Sequence, residues 1–340
     1  MLRLTDAGFY CEAGQFHVDP WRPVDRAVVT HAHGDHVAWG CGAYLTSREG
    51  AAVLAARLPP DAAIESLTYG EHRRLGDVDL SLHPAGHILG SAQVRLERGG
   101  EVWVVSGDYK TDPDPTCTAF VPLRCHTFVT ESTFGLPIYR WPPQADVLRD
   151  INAWWLGNRD AGRVSLLMGY ALGKAQRLIA GLDPAIGPIL THGAVERMTA
   201  VYRAAGIPLP ATTYAGTDTR RREWGGAIVI APPGASASPW ARRFGDSATA
   251  FASGWMRVRG ARRGRSVDRG FTLSDHVDWP GLLEALAATG AERVWVTHGF
   301  TGALVRWLAE RGIQAQAVAT RFEGESDDPD ADAAADQQHE

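Results

Sequence analysis

A layered α/β protein with a second α/β lobe inserted into the first is the fold class this sequence predicts. Three observations carry the prediction. Several short apolar strands each end in a histidine or a carboxylate. A proline-rich break at Pro137–Pro143 opens a run of alternating helices and parallel-type strands. The length, 340 residues, exceeds a usual single domain.

The first part of the chain is taken as 1–143. Phe16–Asp19 reads as a short strand ending in a carboxylate, followed by turn signals at Pro20 and Pro23. Asp25–Thr30 then feeds His31-Ala32-His33-Gly34-Asp35-His36, four potential metal ligands within six positions. A strand end followed by a tight turn can aim such side chains into one crevice. An Ala-rich amphipathic helix is predicted over Ser47–Leu58, closed by Pro59-Pro60. Val78–His83 alternates as a strand and delivers His87. Ala92–Leu96 and Val102–Val105 form a hairpin pattern around Arg98-Gly99-Gly100, and the second strand runs into Ser106-Gly107-Asp108. Thr127–Thr130 is a further apolar strand, ending at Glu131.

The inserted lobe is taken as 144–258. Ala145–Asn158 and Gly173–Leu182 have helical patterns, while Val164–Tyr170, Pro188–Thr191 and Ala227–Ala231 read as strands of a parallel sheet. The first lobe resumes over 259–323. A Gly- and Arg-rich connector, Arg257–Gly270, leads to Phe271–His276 and a helix over Trp279–Ala288. A strand, Arg293–Thr297, delivers His298; a helix over Gly302–Arg311 and an edge strand over Gln314–Thr320 follow.

The formal net charge of −5 is carried by the end of the chain: residues 324–340 hold seven acids and no Lys or Arg, leaving the rest near +2. That Asp/Ala-rich composition predicts a disordered tail. Cys11, Cys41, Cys117 and Cys125 have no CxxC spacing, which points to reduced thiols and away from a zinc ribbon. No apolar run approaches the roughly 20 residues of a membrane span, and Met1–Tyr10 lacks a signal-peptide core, so a cytoplasmic, membrane-free setting is expected.

Five imidazoles and two carboxylates make up the candidate ligand set: His31, His33, Asp35, His36, His87, Asp108 and His298. Such a set suits two divalent ions, Zn²⁺ first and Mn²⁺ as the alternative. His31, His33 and His87 would take one, Asp35, His36 and His298 the other, with Asp108 between. Two ions roughly 3.5–4 Å apart clamp both oxygens of an in-line phosphoryl displacement. Asp19, just before the loop, would orient a ligand histidine from behind. Blander readings stand beside these: a polar loop that happens to hold three histidines, His298 as a strand-end residue, Glu131 as a surface carboxylate. His276 reads equally as a helix cap, a ligand or a proton donor. His17, His83 and His192 are taken as structural.

In this order and spacing, His31-x-His33-x-Asp35-His36 with His87, Asp108 and His298 resembles the metallo-β-lactamase superfamily. Glu131-Ser132-Thr133-Phe134-Gly135, Ala171-Leu172-Gly173-Lys174-Ala175-Gln176, Ser274-Asp275-His276 and Thr297-His298-Gly299 resemble its β-CASP nuclease branch, the likeness running from about Asp19 to Gly299. Within the branch, Pro84–Ser91 and Ser106–Asp112 are most similar to bacterial ligase-associated DNA exonucleases. The resemblance implies a four-layer αββα core with an inserted β-CASP lobe. It also implies a DNA exonuclease acting on single-stranded or frayed ends in repair, alongside a DNA ligase and a helicase. It implies that His276 protonates the leaving oxygen while Glu131 holds it, Asp35 completing the catalytic set. A carboxylate partner favours the protonated ring and fixes its orientation. Histidine at the position of His298 goes with RNA-acting members of the branch, so an RNA-processing nuclease is the alternative, and a thioester or lactone hydrolase a further one.

Lys174, Arg257, Arg259, Arg262 and Arg263, with Arg220–Arg222 and Arg242-Arg243 nearby, are candidate contacts to a nucleic-acid backbone. Trp240 and Trp255, interleaved with them, fit core packing better than base stacking.

Overall fold

The computed structural model describes residues 1–216, 224–236, 238–258 and 267–321; Arg220–Arg222, Arg259, Arg262, Arg263 and the acidic tail 324–340 lie outside the described residues. The described chain divides into two units, one formed by Met1–Arg140 together with His276–Arg321, the other by Trp141–Asp275.

The first unit opens with β1 (Leu2–Thr5), β2 (Gly8–Cys11), β3 (Phe16–Val18), β4 (Arg26–Val28), β5 (Ala43–Ser47), helix α1 (Ala51–Ala55) and β6 (Ile64–Leu67). These six strands make one sheet in sequence order, antiparallel from β1 to β3 and parallel from β3 to β6. Next come β7 (His72–Leu75), β8 (Val78–Pro84), β9 (Ala92–Arg98), β10 (Glu101–Val105) and β11 (Thr127–Ser132).

The second unit holds α2 (Gln144–Asp160), β12 (Val164–Met168), α3 (Lys174–Ala180), β13 (Ile189–Thr191), α4 (Gly193–Ala204), β14 (Thr213–Tyr214) and β15 (Ile228–Ala231). It continues with α5 (Pro239–Arg242), β16 (Ser247–Ala252) and β17 (Arg269–Phe271). The chain then returns to the first unit through α6 (Trp279–Thr289), β18 (Arg293–Gly299), α7 (Thr301–Ala309) and β19 (Gln314–Ala317).

The second sheet of the first unit has the order β19-β18-β11-β10-β9-β8-β7. Period-two alternation gives its strands two buried faces. Trp103, Val105 and Val129 join Phe9, Phe16, Val18, Val28 and Leu45 of the first sheet in one core. Val104, Phe128, Val294 and Val296 face the other way, onto Leu282 and Leu286 of α6 and Leu304 and Leu308 of α7. Each such side chain contributes about 1.5–3 kcal/mol by leaving water, which holds the strands firmly and leaves chemistry to the loops beyond them. β10, β11 and β18 are mutually parallel, and β8 runs with them because β9 is antiparallel to both β8 and β10. The C-terminal ends of these four strands therefore lie on one edge of the sheet.

The second unit is a sheet of six parallel strands in the order β14-β13-β15-β12-β16-β17. Leu167, Ile228 and Ile230 pack on Ile151 and Trp155 of α2 and Leu178 of α3; Leu166, Val229 and Phe251 pack on Trp224, Ala241 and Phe244.

Two expectations are corrected. The helix expected over Ser47–Leu58 is confined to Ala51–Ala55, because Ser47 ends β5 and its hydroxyl donates to Gly90 O at 2.5 Å. Composition marked the return to the first lobe at 259, but β17 pairs with β16 in the second unit's sheet, and the crossing falls at Asp275/His276. No helix of the described residues is long and apolar enough to cross a membrane.

Candidate metal centre

The centre is built outward from Asp19, whose φ of +43° lies in the left-handed region that Asp tolerates. Its Oδ1 accepts from the Thr30 amide at 2.8 Å and its Oδ2 from the Thr30 hydroxyl at 2.6 Å. With that proton committed, Thr30 Oγ1 accepts from His31 Nδ1, 3.1 Å away. His31 thus carries its proton on Nδ1 and turns the Nε2 lone pair inward. Asp19 Oδ2 also lies 2.7 Å from His36 Nδ1, so His36 presents Nε2 to the interior.

The remaining groups arrive from strand ends. Past β8, Ser91 Oγ accepts from the amides of His87 and Ile88 at 3.0 and 3.2 Å and fixes the turn that carries His87. Past β10, Gly107 has φ +56°, and a Cβ there would stand 2.6 Å from Thr30 Oγ1. Glycine lets this loop close on Thr30 and deliver Asp108. On β18, pairing with β11 steps from Glu131↔Thr297 to Ser132↔Gly299. His298 is the extra residue of a β-bulge, held at φ +54°, a strained conformation that re-aims its ring off the strand.

The candidate ligands converge in overlapping groups. His31, His33, His87 and Asp108 form one; His36, Asp108 and His298 another; Asp108, Glu131 and His276 a third, with the donor atoms of each group within 4.8 Å of one another. His31 Nε2 and His87 Nε2 each lie 3.1 Å from His33 Nδ1, and the three rings stand at 82–84° to one another. A tetrahedral ion with Zn–N bonds of about 2.0–2.1 Å would place its nitrogen ligands about 3.3–3.4 Å apart, so this tripod already has the spacing of a ligand set. Asp108 is the hub. Its Oδ2 is 3.6 Å from His31 Nε2, 3.4 Å from His36 Nε2 and 3.9 Å from His87 Nε2; its Oδ1 is 4.0 Å from His298 Nδ1. Asp35 stands at the margin, a quarter exposed, with its carboxylate 3.6 Å from His36 Nε2.

Burial works against charge throughout. It holds His298 below the usual histidine range, and His31 well below, where the neighbouring rings of His36, His87 and His33 add to the effect. At His36 burial is outweighed by the carboxylates of Asp108, Asp35 and Asp19, which hold it well above that range. At Asp108 burial is likewise outweighed, by His36 and His276, and the carboxyl is held well below the usual carboxylate range. The field that would keep a proton on His36 is one that a cation would occupy equally well. His36 Nε2 is also fully buried with no hydrogen-bond partner among the described residues. Spacing, donor chemistry and this orphaned nitrogen all fit divalent cations. Asp19→Ala is expected to lower metal affinity about 10–100-fold by releasing both rings; competition against a chelating indicator checks it, and unchanged affinity would mean the rings are oriented otherwise.

Beside the hub, His276 Nδ1 lies 2.9 Å from Glu131 Oε2 and 3.1 Å from Oε1, both residues being buried. Tyr109, to which the sequence assigned no role, ties this pair together. Its amide donates to Glu131 Oε1 at 2.9 Å and its carbonyl accepts from the Val277 amide at 2.7 Å. Tyr109 makes both bonds through its own backbone, and the only sequence signal is its place directly after Asp108. Thr30 likewise reads in the sequence simply as the end of a strand.

Other candidates are placed elsewhere. Lys174, expected at nucleic-acid phosphate, is fully buried in the second unit with Nζ 3.0 Å from Asp275 Oδ2, which corrects that expectation. Arg257 is exposed at the end of a short 3₁₀ turn, Gly254–Arg257. Arg243 donates to the carbonyls of Gly216 and Ala215 and lies over the rings of Trp224, Trp240 and Phe244. Trp240 bonds Ala215 O and Trp255 packs on the same core. His192 caps α4.

Comparison with known proteins adds to this geometry. No family model matches the chain. A probable DNA ligase of Opitutus terrae is 34% identical over 313 residues, covering 92% of this chain and 30% of that protein. An RNase J-like protein of Methanocaldococcus jannaschii is 26% identical over 236 residues, 58% of this chain and 54% of that one. The chain is similar to nucleases of the β-CASP branch of the metallo-β-lactamase superfamily. It spans about half or less of the length of these two relatives. A crystal structure of a protein of unknown function from Enterococcus faecalis shares the fold, with a TM-score of 0.58 at 12% identity over 88% of this chain and 80% of that one.

Proposed function

We propose that the protein is a two-metal phosphodiesterase that shortens DNA from single-stranded or frayed ends, in a cytoplasmic repair setting with a DNA ligase and a helicase. The observation that carries the hydrolase reading is Asp108, one buried carboxylate within 4.0 Å of the rings of His31, His36, His87, His276 and His298. In this reading the two-sheet sandwich with α6 and α7 belongs to a four-layer αββα core, and the second unit is the inserted β-CASP lobe.

His31, His33 and His87 would hold one ion and His36, His298 and the marginal Asp35 the other, with Asp108 within reach of both groups; the imidazole-rich set favours Zn²⁺, with Mn²⁺ the alternative. When bound, such ions would supply charge stabilisation for an in-line phosphoryl displacement. Glu131 accepts from His276 Nδ1 and stabilises the imidazolium, and His276 gives the proton on Nε2 to the departing oxygen. Asp19 keeps His36, and through Thr30 also His31, in the tautomer that faces the interior.

The match to a protein named as a probable DNA ligase supports a DNA substrate. His298 and the RNase J-like relative support a second reading, an RNA-processing nuclease. A time course on end-labelled single-stranded DNA and RNA of the same sequence, with Zn²⁺ or Mn²⁺, separates them. The expected result is DNA shortened nucleotide by nucleotide while RNA persists. RNA cut in preference to DNA would move the assignment to the second reading, and a chain that cuts neither but hydrolyses a thioester would overturn both.

A further inference from the structure

Three charged side chains are enclosed in the second unit, and the chemistry above does not use them. Lys174 and Arg177 stand one turn apart on α3 and share a face. Lys174 Nζ is 3.0 Å from Asp275 Oδ2, and Arg177 Nε is 3.0 Å from Asp275 Oδ1. All three residues are at most 2% exposed. The lysine stem has room because residue 169 is glycine, where a Cβ would come within 3.1 Å of Lys174 Cγ. The turn that aims α3 is fixed as well. The Gly173 backbone amide donates to Gln176 Oε1 at 2.8 Å, and Gln176 Nε2 donates to Ala171 O and Thr199 Oγ1, both at 3.1 Å. Apolar residues of the same volume would hold a fold as well as buried ions do, so a buried charged set calls for a role in geometry.

The residue that these cations grip is covalently next to His276. On the other flank, the Val277 amide donates to Tyr109 O at 2.7 Å. The His276 backbone is therefore fixed from both sides, while its ring meets Glu131 at 2.9 Å. We propose that Lys174 and Arg177, acting through Asp275, are positioning residues that set the His276 ring on Glu131. The kinetic part of this proposal rests on the nuclease reading; the geometric part does not.

Lys174→Met removes the charge at similar length, and Lys174→Arg keeps it. In the metal-loaded full chain, Lys174→Met is expected to lower kcat on single-stranded DNA about 100-fold, the scale set by a small misplacement near the chemistry. KM and metal content stay unchanged, and Lys174→Arg recovers most of the rate. In a His276→Ala background, Lys174→Met has no further effect on kcat, because the ring through which it acts is gone. The low-field proton NMR signal of the His276 Nδ1–H···Glu131 bond gives a readout free of activity. It is expected in the wild type and Lys174→Arg, and displaced or lost in Lys174→Met. Rate losses that multiply in the double variant, an effect confined to KM, or an unmoved proton signal would each overturn the proposal. Should Lys174→Met fail to fold, Asp275→Asn is subject to the same readouts. A wild-type chain that cuts no nucleic acid would refute the nuclease reading, and the proton signal would still decide the positioning.

Discussion

An Asp108→Ala chain is expected to lose its metal and its activity while keeping its fold. Asp108 belongs to every convergent group at the centre, and its two oxygens face different histidines: Oδ2 looks to His31, His36 and His87, Oδ1 to His298. Without it, the two histidine groups keep only imidazole donors and lose the buried carboxylate that attracts a dication. The cores of the first unit are unaffected, since none of their apolar residues changes. Metal stabilises the native state by about 4 kcal/mol at 1,000 times its Kd. Chelation should therefore lower the melting temperature of the wild type and leave that of Asp108→Ala unmoved. Nuclease activity should fall at least ~10³-fold, the scale of losing one preorganised electrostatic group. Elemental analysis of the purified variant is the check: two metal equivalents retained per chain would end the role assigned to this carboxylate.

What could be read from the sequence divides along physical lines. The histidine loop was legible because its groups are adjacent in the chain, and His87, Asp108, Glu131 and His298 because each follows a short apolar strand. The parallel order of β8, β10, β11 and β18 then brings those ends to one edge. β5 escaped notice because Ala43–Ser47 mixes aromatic, aliphatic and hydroxyl residues without alternation, and all but Ala43 are buried. Lys174 was misplaced because a lysine after glycine on a helix start reads as exposed, whereas its carboxylate partner, Asp275, is far along the chain. Tyr109 and Gly107 act through backbone position, which leaves no pattern in side-chain chemistry. The limit of the inserted unit was set by the pairing of β17 with β16, a long-range contact that composition does not encode.

His276→Ala is expected to separate chemistry from metal binding. His276 Nδ1 is already committed to Glu131 at 2.9 Å and stands farther, 3.9 Å, from Asp108 Oδ2, so the ring is oriented by Glu131. Removing it leaves the His31, His33, His87 and His36, His298 groups intact around Asp108. The variant should bind the same metal complement as the wild type and melt at nearly the same temperature in its presence. On DNA, kcat should fall about 10²–10⁴-fold, the usual contribution of a positioned proton donor, with KM little changed. The decisive comparison uses a nucleotide p-nitrophenyl ester, whose leaving group departs without needing a proton. If His276 protonates the leaving oxygen, the loss should nearly vanish on the ester and remain on DNA. An equal loss on both substrates would place His276 at another step, and loss of metal matching that of Asp108→Ala would make it a ligand.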